Sequence, residues 1–384
     1  MVTGAYYPEL SGGGLQARAV VRALRHDADF FVLTTSTDRS LPASGDEEGV
    51  PIRRVFVDVG SAASQLTAGL RLAAALVRVA PRIDIVNQHG FSRKAILLRL
   101  LSRALGKKFV LTLQTGVQDE PSGARALGAA AYSAYANADL YLSVSPGLSK
   151  AYVDAGLPAA RLRQVCNAVD VERFAPASPA ARAALGTELG LPPGVPVVLF
   201  VGLFSPDKRP ELLYRAWSRV AATYPSTLVF VGATRPTTYH EVDPGIVDMI
   251  TRRAAADGLD DRIVFAGTTK AIDRYYRAAD IFVLPSIREG LSIALLEAMS
   301  SGLACVASRL PGSTDVLIDH GVNGLLAEPD EEDGFAAAIA SLLADGDERS
   351  RLGAAGRQTV IDRFSIQRTA GAWLAAYREV SSPQ

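Results

Sequence analysis

Short apolar runs alternate with longer segments of helical periodicity along most of the chain. This alternation is typical of parallel β-sheets whose strands are connected by helices. In the first half it predicts strands at residues 30–33, 52–57, 83–86, 109–113, 140–144 and 163–166, with 1–3 as the end of an earlier strand. In the second half it predicts strands at residues 197–201, 227–231, 263–266, 281–284, 304–307 and 324–327.

The alternation stops in the middle of the chain, where prolines become frequent between residues 171 and 196. A break of this composition predicts a linker with a short helix. We therefore expect two α/β domains with doubly wound parallel sheets, at residues 1–172 and 173–365. The chain has 384 residues, which is long for one domain and sufficient for two. A last helical pattern covers residues 366–380.

Composition excludes several classes of protein. Lys plus Arg and Asp plus Glu number 40 each, so the net charge gives no indication of nucleic-acid binding. The two cysteines, Cys166 and Cys305, are too few for a disulfide scaffold or a zinc site. The first residues lack a signal-peptide pattern, and no apolar run reaches the roughly 18–20 residues of a membrane span. A cytoplasmic protein is therefore expected.

Two glutamates eight residues apart give the most specific indication of chemistry. Glu289 follows the predicted strand 281–284, and Glu297 lies among leucines, alanine and methionine in a predicted helix. A pair of acids near a helix start is by itself more often solvated, but an acid in apolar surroundings needs a partner. Because helix N-termini at the carboxyl ends of parallel strands favour anions, this segment predicts a phosphate site flanked by two acids.

This segment resembles the Glu-x7-Glu signature of the family 4 glycosyltransferases, which are retaining enzymes of GT-B fold. The resemblance covers nearly the whole chain and includes residues 143–146 and 167–170. It implies two Rossmann-like domains facing across a cleft, with the last helix, 366–384, crossing back to the first domain. In the family, the first acid contacts the transferred sugar and the second binds the ribose hydroxyls of the nucleotide. The family's first strand is longer, which implies that a few residues are missing at the start.

A glycine-rich segment follows the first strand, at residues 8–16. Consecutive glycines allow the backbone to approach a ligand closely, although a plain flexible connection has the same composition. The segment resembles the glycine loop that the family places over the donor phosphate and sugar. Gly13 and Gly14 match its glycine pair, with a slip of one residue left open.

The loop after the predicted strand 197–201 supplies positive charge. Lys208 matches the family lysine that binds the departing diphosphate, and a lysine is a mobile point charge suited to that role. The family also has an arginine here, but Leu203 stands in its place. Either Arg209 or Arg288 supplies the second positive charge, or the leaving group is stabilised less than in the family. For Arg209, a solvated surface position is as well supported as contact with the diphosphate.

Other strand ends carry polar residues that match family positions. The strand predicted at 83–86 is followed by polar residues up to His89. The family usually has a histidine that faces the cleft at this position, although a lone histidine is more often structural. Gln114 stands where relatives commonly have a histidine near the donor sugar; it can hydrogen-bond but cannot carry a proton. Thr268 lies in a loop that runs along the nucleobase in the family.

Two further segments bear on the acceptor. Asp119 and Glu120 lie in a polar loop and are acceptor-binding candidates, with a solvated loop as the alternative. Residues 92–108 form a basic, apolar helical stretch, which is more often an ordinary solvated helix. Since many relatives glycosylate lipid acceptors, the stretch leaves open a peripheral contact with an anionic membrane at its inner face.

The predicted activity is transfer of a hexose from a nucleoside-diphosphate donor to a hydroxyl of a small-molecule, glycan or lipid-linked acceptor, with retention. As proposed for the family, the donor diphosphate accepts the acceptor's proton. We expect no cofactor and no metal, since no Asp-x-Asp motif lies among the candidate site residues. The predicted catalytic residues are Glu289, His89 and Lys208. The predicted donor-binding residues are Gly13, Gly14, Lys208, Arg209, Gln114, Thr268, Gly290, Leu291, Ser292 and Glu297.

Two alternatives stay open. The first is another class of GT-B enzyme, a nucleotide-sugar epimerase or a sugar phosphorylase. A non-catalytic module that binds sugar nucleotides is the second alternative, because the arginine and one histidine of the family pattern are absent. The sequence does not identify the sugar, the base or the acceptor.

Overall fold

The computed structural model describes residues 1–9, 11–235 and 242–382. Leu10 of the glycine-rich segment lies outside the described residues. The chain divides into two units, unit 1 with Met1–Ala168 and Ile366–Gln384, and unit 2 with Val169–Ser365. The sequence pattern had predicted the first domain to end at residue 172.

Each unit contains its own set of strands. Those of unit 1 are β1 (Val2–Thr3), β2 (Val32–Ser36), β3 (Ser44–Glu47), β4 (Val50–Phe56), β5 (Ile85–His89), β6 (Lys108–Leu113), β7 (Leu140–Ser143) and β8 (Leu162–Gln164). Those of unit 2 are β9 (Val197–Val201), β10 (Thr227–Val231), β11 (Ile263–Gly267), β12 (Ile281–Leu284), β13 (Ala304–Ser308) and β14 (Leu325–Ala327).

Helices connect these strands. In chain order they are α1 (Gly12–Leu24), α2 (Ala62–Val79), α3 (Lys94–Ala104), α4 (Pro121–Ala126), α5 (Ala129–Ala136), α6 (Pro146–Asp154), α7 (Pro179–Glu188), α8 (Pro210–Ala221), α9 (Pro244–Asp257), α10 (Ile272–Ala278), α11 (Ile293–Ser300), α12 (Glu332–Ala344), α13 (Gly346–Arg363) and α14 (Ile366–Ser381). Short 3-10 helices lie at Ala80–Arg82, Ala159–Arg161, Asp260–Arg262 and Thr314–Val316.

The strand order confirms the predicted doubly wound α/β class. Within the described residues, the order in unit 1 is β3-β4-β2-β1-β5-β6-β7-β8, and in unit 2 it is β11-β10-β9-β12-β13-β14. Every pair is parallel except β3 with β4. In unit 2 the order reverses direction between β9 and β12, which is where doubly wound sheets bind ligands.

The helix α14 follows unit 2 in sequence and packs in unit 1. Trp373 is buried in a cluster with Val20 of α1 and Leu142 of β7. Tyr377 donates a hydrogen bond from its hydroxyl to Asn87 Oδ1, at 2.9 Å. The buried hydroxyl is therefore satisfied, and burial of two large aromatic rings fixes the helix on this unit.

Unit 2 is built around an aromatic core. Phe200, Phe204 and Phe230 contact one another with ring centroids 5.6 to 6.1 Å apart. Trp217 of α8 is fully buried in the same cluster, and its ring nitrogen donates to Ser226 Oγ at 2.9 Å. This core holds the carboxyl ends of β9 and β10 in place.

Most predicted strands agree with the structure to within two residues, and the two that differ by more do so for the same reason. The strand predicted at 30–33 lies at Val32–Ser36, and the one predicted at 83–86 extends to His89. Both continue through buried polar residues, which are hydrogen-bonded: Thr34 with Thr3 at 3.0 Å, for example. The polar strand β3 was not predicted, because it is an exposed edge strand with no apolar pattern.

A glycine is required where β10 ends. Gly232 has φ of +152°, and a Cβ atom there would lie 1.7 Å from the carbonyl oxygen of Gly202. The close approach aligns the segments that leave β9 and β10, with the Gly202 N–H donating to Val231 O at 3.0 Å. A side chain at this position would force those segments apart.

We predict that Gly232→Ala lowers the free energy of unfolding by about 3 kcal/mol, because both the clash and the backbone angle oppose it. Gly186→Ala is the matched control: it lies in α7, and nothing is within 4 Å of the added Cβ. The control should gain about 0.5–1 kcal/mol from helix propensity. Thermal unfolding followed by circular dichroism measures both; equal melting temperatures would contradict the argument.

Candidate functional site

The loops that follow β9 and β12 begin side by side. The two strands are parallel neighbours, with Phe282 paired with Leu199. The loop after β9 contains Lys208, and the loop after β12 contains Glu289. Because strand order reverses at this pair, no crossing helix covers the space between the two loops.

An ion pair joins the two loops. Lys208 Nζ lies 2.6 Å from Glu289 Oε1, and the Glu289 side chain is only 8% exposed. The backbone N–H of Ile287 donates to Asp207 O at 2.9 Å, and Arg288 forms an ion pair with the Asp207 carboxylate. The predicted catalytic pair Lys208 and Glu289 is thus in direct contact within unit 2.

The two arginines proposed as a second positive charge lie in different environments. Arg209 has a left-handed backbone, with φ of +52°, and its Nη1 donates to Pro329 O at 2.7 Å and to Asp330 Oδ1 at 2.8 Å. It is therefore held by the segment after β14. Arg288 is held by the loop that carries Lys208. Leu203, which replaces the family arginine, packs against the aromatic core and supplies no charge.

The helix α11 begins directly after this loop. Ser292 is its N-cap, accepting a hydrogen bond from the Leu295 N–H at 3.4 Å. Gly290, Leu291 and Ser292 are buried at this end. The free backbone N–H groups of the first turn and the helix dipole make this end favourable for an anion, next to the Lys208 ammonium.

The second glutamate lies one turn further along α11. Glu297 shares a hydrogen bond with the hydroxyl of Tyr276, and burial raises the pKa of its carboxyl to about 7. Arg173 opposes this shift, while Asp273 adds to it. The same Tyr276 hydroxyl lies 3.2 Å from Ala294 O, so its one proton is shared between this carbonyl and the Glu297 carboxyl. The carboxyl is thus placed by a buried phenol and is partly protonated at neutral pH.

The remaining donor candidate of unit 2 lies farther along the same edge. Thr268 is exposed in the loop after β11. Strand β11 is at the end of the sheet, separated from β9 by β10. No contact between Thr268 and the Lys208–Glu289 pair occurs among the described residues, so its base-binding role stays a prediction.

In unit 1 the two candidate glycines have different neighbours. Gly14 is in α1, and a Cβ there would lie 2.3 Å from Ala5 O, so the close approach of the helix to the strand end requires glycine. Ser11 caps the helix by accepting the Gly14 N–H at 3.1 Å. A Cβ at Gly13 would lie 4.0 Å from Gln114 Cγ, so Gly13 lies next to another predicted donor residue.

His89 and Gln114 are in contact. His89 Nδ1 lies 3.2 Å from Gln114 Nε2, and the ring stacks on Trp373 with centroids 5.8 Å apart. Burial lowers the pKa of His89 to about 3, and the N-terminal ammonium adds to this. A neutral ring that accepts at Nδ1 carries its proton on Nε2, which has no hydrogen-bond partner among the described residues. This geometry suits hydrogen-bond donation better than the proton transfer of a catalytic acid.

The prediction that Asp119 binds the acceptor is not supported by its surroundings. The carboxylate is buried and accepts three backbone N–H groups, from Phe91 at 2.5 Å, Gln114 at 2.7 Å and Thr115 at 2.9 Å. Desolvation still raises its pKa to about 6. Asp119 therefore holds the loops that carry His89 and Gln114. Glu120, which accepts the Val117 N–H at 2.9 Å, stays an acceptor candidate.

Sequence reasoning missed Tyr276, Trp373 and Lys94. Lys94 was counted with the basic stretch 92–108, but its Nζ donates to Thr35 Oγ1 at 3.2 Å and lies 3.4 Å from Thr3 O. Burial lowers its pKa to about 8. A lysine at the start of a helix after a strand end was the available signal, whereas the partners of Tyr276 and Trp373 are far away in sequence.

The rest of the stretch 92–108 forms α3. Ala95, Leu98 and Ser102 face the core, while Leu100 is 63% exposed. Peripheral membrane contact through this helix stays a prediction. In the described part of the chain, no helix has the length and apolarity to cross a membrane, and no group of three or more His, Cys, Asp and Glu residues is arranged to hold a metal.

Two glycosyltransferase family models match consecutive parts of the chain. The model of a glycosyl transferase 4-like domain covers residues 11–168, and that of glycosyl transferases group 1 covers residues 183–359. Alpha-maltose-1-phosphate synthase from Mycolicibacterium smegmatis is 29% identical over 400 residues, covering 100% of this chain and 99% of that protein. Several further relatives match over about half of their own length.

Solved structures share the fold. Sucrose-phosphate synthase from Thermosynechococcus elongatus has a TM-score of 0.81 at 21% identity, covering 99% of this chain and 98% of that one. HepE from Anabaena in complex with UDP-glucose has a TM-score of 0.78 at 20% identity, covering 98% of each chain. These structures show the GT-B fold, and the two family models, which together match residues 11–168 and 183–359, show that the chain belongs to the family 4-like glycosyltransferases.

Proposed function

We propose that this glycosyltransferase moves a sugar from a nucleoside-diphosphate donor to a hydroxyl group of a small-molecule, glycan or lipid-linked acceptor, with retention of anomeric configuration. The observation that carries the proposal is the contact between Lys208 and Glu289 at the adjoining ends of β9 and β12. It joins a cation to an acid beside the N-terminus of α11. A diphosphate and the sugar attached to it need these two kinds of contact at adjacent positions.

The leaving group is the first part of this mechanism. As the bond between the anomeric carbon and the β-phosphate oxygen breaks, its electron pair stays on the phosphate. The Lys208 ammonium and the N–H groups at the start of α11 stabilise that charge, and this electrostatic contribution is commonly the largest one in catalysis. Since these groups supply the positive charge, the reaction as proposed uses no metal or cofactor, and activity in excess EDTA tests that point.

The sugar and the acceptor form the second part. Glu289 contacts the sugar and stabilises positive character at its anomeric carbon. The acceptor oxygen forms its bond on the face that the diphosphate leaves, and its proton passes to a departing phosphate oxygen. No side chain is then needed as a base, which agrees with the neutral, buried His89 and with Gln114 as a hydrogen-bonding group.

The nucleotide is the third part. Glu297 binds the ribose hydroxyls, since a carboxylate accepts two hydrogen bonds from a diol. Gly13 and Gly14 approach the donor with backbone, and Thr268 lies along the base. The HepE structure contains UDP-glucose, so UDP-sugars are the first donors to test.

A donor screen followed by product analysis tests the proposal. UDP-, GDP-, ADP- and dTDP-sugars are compared for thermal stabilisation of the protein, because a ligand of the folded state raises its melting temperature. The best donor is then incubated with candidate acceptors, and NMR of the product reports the anomeric configuration. Inversion would refute retention, an isomerised donor without acceptor would indicate an epimerase, and binding without turnover would indicate a binding module.

We predict that Glu297→Gln weakens donor binding about tenfold, because an amide accepts fewer hydrogen bonds from the ribose than a carboxylate. Isothermal titration calorimetry with the best nucleotide sugar measures the change. The variant retains the volume of the side chain and a partner for Tyr276, so its fold should be unaffected. Unchanged affinity would remove the ribose role from Glu297.

The same residue predicts a pH dependence. Its pKa is raised to about 7, so the fraction of carboxylate increases as pH rises from 6 to 8. If the carboxylate is the form that binds the diol, donor affinity rises over this range, and the Glu297→Gln variant loses the dependence. Burial raises the pKa of the neighbouring Tyr276 well above its usual range, so its hydroxyl stays protonated there. An identical pH profile in the variant would contradict the prediction.

We predict that Lys208→Ala lowers kcat by about 100-fold and donor affinity only a few-fold, since the lysine acts on charge that develops in the transition state. Lys150→Ala is the matched control, because Lys150 is an exposed lysine paired only with Asp154 within α6. Steady-state kinetics and donor titration separate the two effects. Equal losses of kcat and donor affinity would contradict stabilisation of the leaving group.

A further inference from the structure

A cavity of about 460 Å³ lies at the carboxyl edge of the unit 1 sheet, away from the residues assigned above. Its lining residues are Arg39, Phe56, Ala63, Ser64, Thr67 and Arg71. Arg39 lies in the segment after β2, Phe56 is the last residue of β4, and the others lie in the first turns of α2. Strands β2 and β4 are parallel neighbours that end together, with Ser36 paired with Phe56. The cavity thus opens at the carboxyl edge of the sheet, to one side of the reversal of strand order between β1 and β5.

The two arginines of this cavity are exposed and have no acidic partner among the described residues. Neither Arg39 nor Arg71 forms an ion pair or hydrogen bond with any residue of the described segments. The acids nearest in sequence make local hydrogen bonds: Asp38 Oδ1 accepts the Ser40 N–H at 2.8 Å and hydroxyl at 2.6 Å, and Asp58 Oδ1 accepts the Gly60 N–H at 2.9 Å. The lining residues include no acidic side chain, so the charge that lines the cavity is positive.

The other lining groups extend this preference for an anion. Ser64 Oγ accepts the Asp58 N–H at 2.9 Å, which leaves its hydroxyl proton available for a ligand. Ser64 and Ala63 are in the first turn of α2, where the helix dipole is positive. Phe56 adds an apolar surface at one side. A guanidinium binds two oxygens of a phosphate at once, and the cavity has the size of a small-molecule site.

We infer that this cavity binds a phosphate ester carried by the acceptor, with Arg39 and Arg71 as its phosphate contacts. The inference rests on the proposed function in taking the occupant to be an acceptor. The charged donor residues Lys208, Glu289 and Glu297 belong to unit 2, whereas every lining residue of the cavity belongs to unit 1. If the acceptor were uncharged, two arginines without carboxylate partners would have no phosphate to bind.

Direct binding to the full chain tests the inference without turnover. The probes are inorganic phosphate, glucose 1-phosphate and glucose 6-phosphate, each compared with glucose by isothermal titration calorimetry. We expect at least one phosphorylated probe to bind more tightly than glucose. We expect Arg39→Gln and Arg71→Gln each to raise the Kd of that probe tenfold or more, because a charged hydrogen-bond pair is lost. Failure of every soluble phosphorylated probe to exceed glucose, together with no arginine-dependent binding to vesicles that contain phosphatidylinositol, overturns the inference.

Controls separate the site from general charge effects. Arg78→Gln removes an exposed arginine from the same helix that does not line the cavity, and its Kd should equal that of the unchanged protein. Arg71→Lys retains charge but not the planar fork, and its Kd should lie between those of the unchanged protein and Arg71→Gln. An equal rise of the Kd in Arg78→Gln would show that the effect comes from net charge alone and would overturn the site. Circular dichroism verifies folding of each variant.

The phosphate can come from a free sugar phosphate or from a phospholipid headgroup, and a vesicle experiment distinguishes the two. Sedimentation with phosphatidylcholine vesicles, with and without phosphatidylinositol, measures lipid binding of the unchanged protein and of the Arg39→Gln, Arg71→Gln double variant. Arginine-dependent binding to the phosphatidylinositol vesicles assigns the site to a headgroup. Arginine-dependent binding of the soluble probes alone assigns it to a free phosphate ester.

Failure of this inference differs from failure of the proposed function. If a nucleotide sugar binds and is transferred, but the double variant binds phosphorylated probes as well as the unchanged protein, only the inference is wrong. If no nucleotide sugar binds while phosphorylated probes bind through both arginines, the cavity is an anion site and the proposed function is wrong.

Discussion

Parallel pairing determines where this protein can place its chemistry. Two parallel strands cannot be joined by a tight turn, so each strand is followed by a crossing segment and all strands of a sheet end at the same edge. In unit 2 this brings the ends of β9 and β12 together, although their loops are 81 residues apart in sequence at the Lys208–Glu289 contact. In unit 1 it brings His89 beside Gln114 and Arg39 beside Phe56. The polar residues meet because the backbone pairing requires it.

At both edges, a carboxyl group has a specific hydrogen-bonding partner. Asp119 accepts three backbone N–H groups, and Glu297 shares a hydrogen bond with a phenol. Leaving such a group without a partner would cost several kcal/mol. The surrounding loops are therefore fixed by the requirement to satisfy one carboxyl group, which gives the site a defined geometry before any ligand is bound. Arg39 and Arg71 differ from these groups in having no carboxylate partner among the described residues.

The sequence predicted the fold well because its strongest signals are local. The strands at 197–201, 227–231 and 281–284 agree with the structure at both ends, since each is a continuous apolar run. Polar residues that are buried through hydrogen bonds, as in β2 and β5, carry no such signal, and β3 is an edge strand without an apolar face. A pattern of apolar residues predicts a buried strand only where the buried side chains are themselves apolar.

The candidate site was predictable in its charges and less so in their partners. Glu289 and Lys208 were chosen for their positions and lie in contact. The polar loop makes Asp119 an acceptor-binding candidate or a solvated residue, and nothing in the loop reveals that the N–H of Phe91, 28 residues away, will donate to its carboxylate. Arg209 is directed away by Asp330, which is 121 residues distant. Contacts at such separations follow from the folded sheet, and the sequence alone does not specify them.

The ion pair of Lys208 with Glu289 also affects which anions can bind beside the lysine. A small ion such as orthophosphate must compete with a carboxylate already 2.6 Å from the ammonium, and it gains few contacts in return. On the proposed function, a nucleotide sugar displaces the same carboxylate from the ammonium and then engages it through the sugar, so the acid changes from competitor to ligand. This part of unit 2 would thus discriminate against free phosphate and favour molecules that join a sugar to a diphosphate.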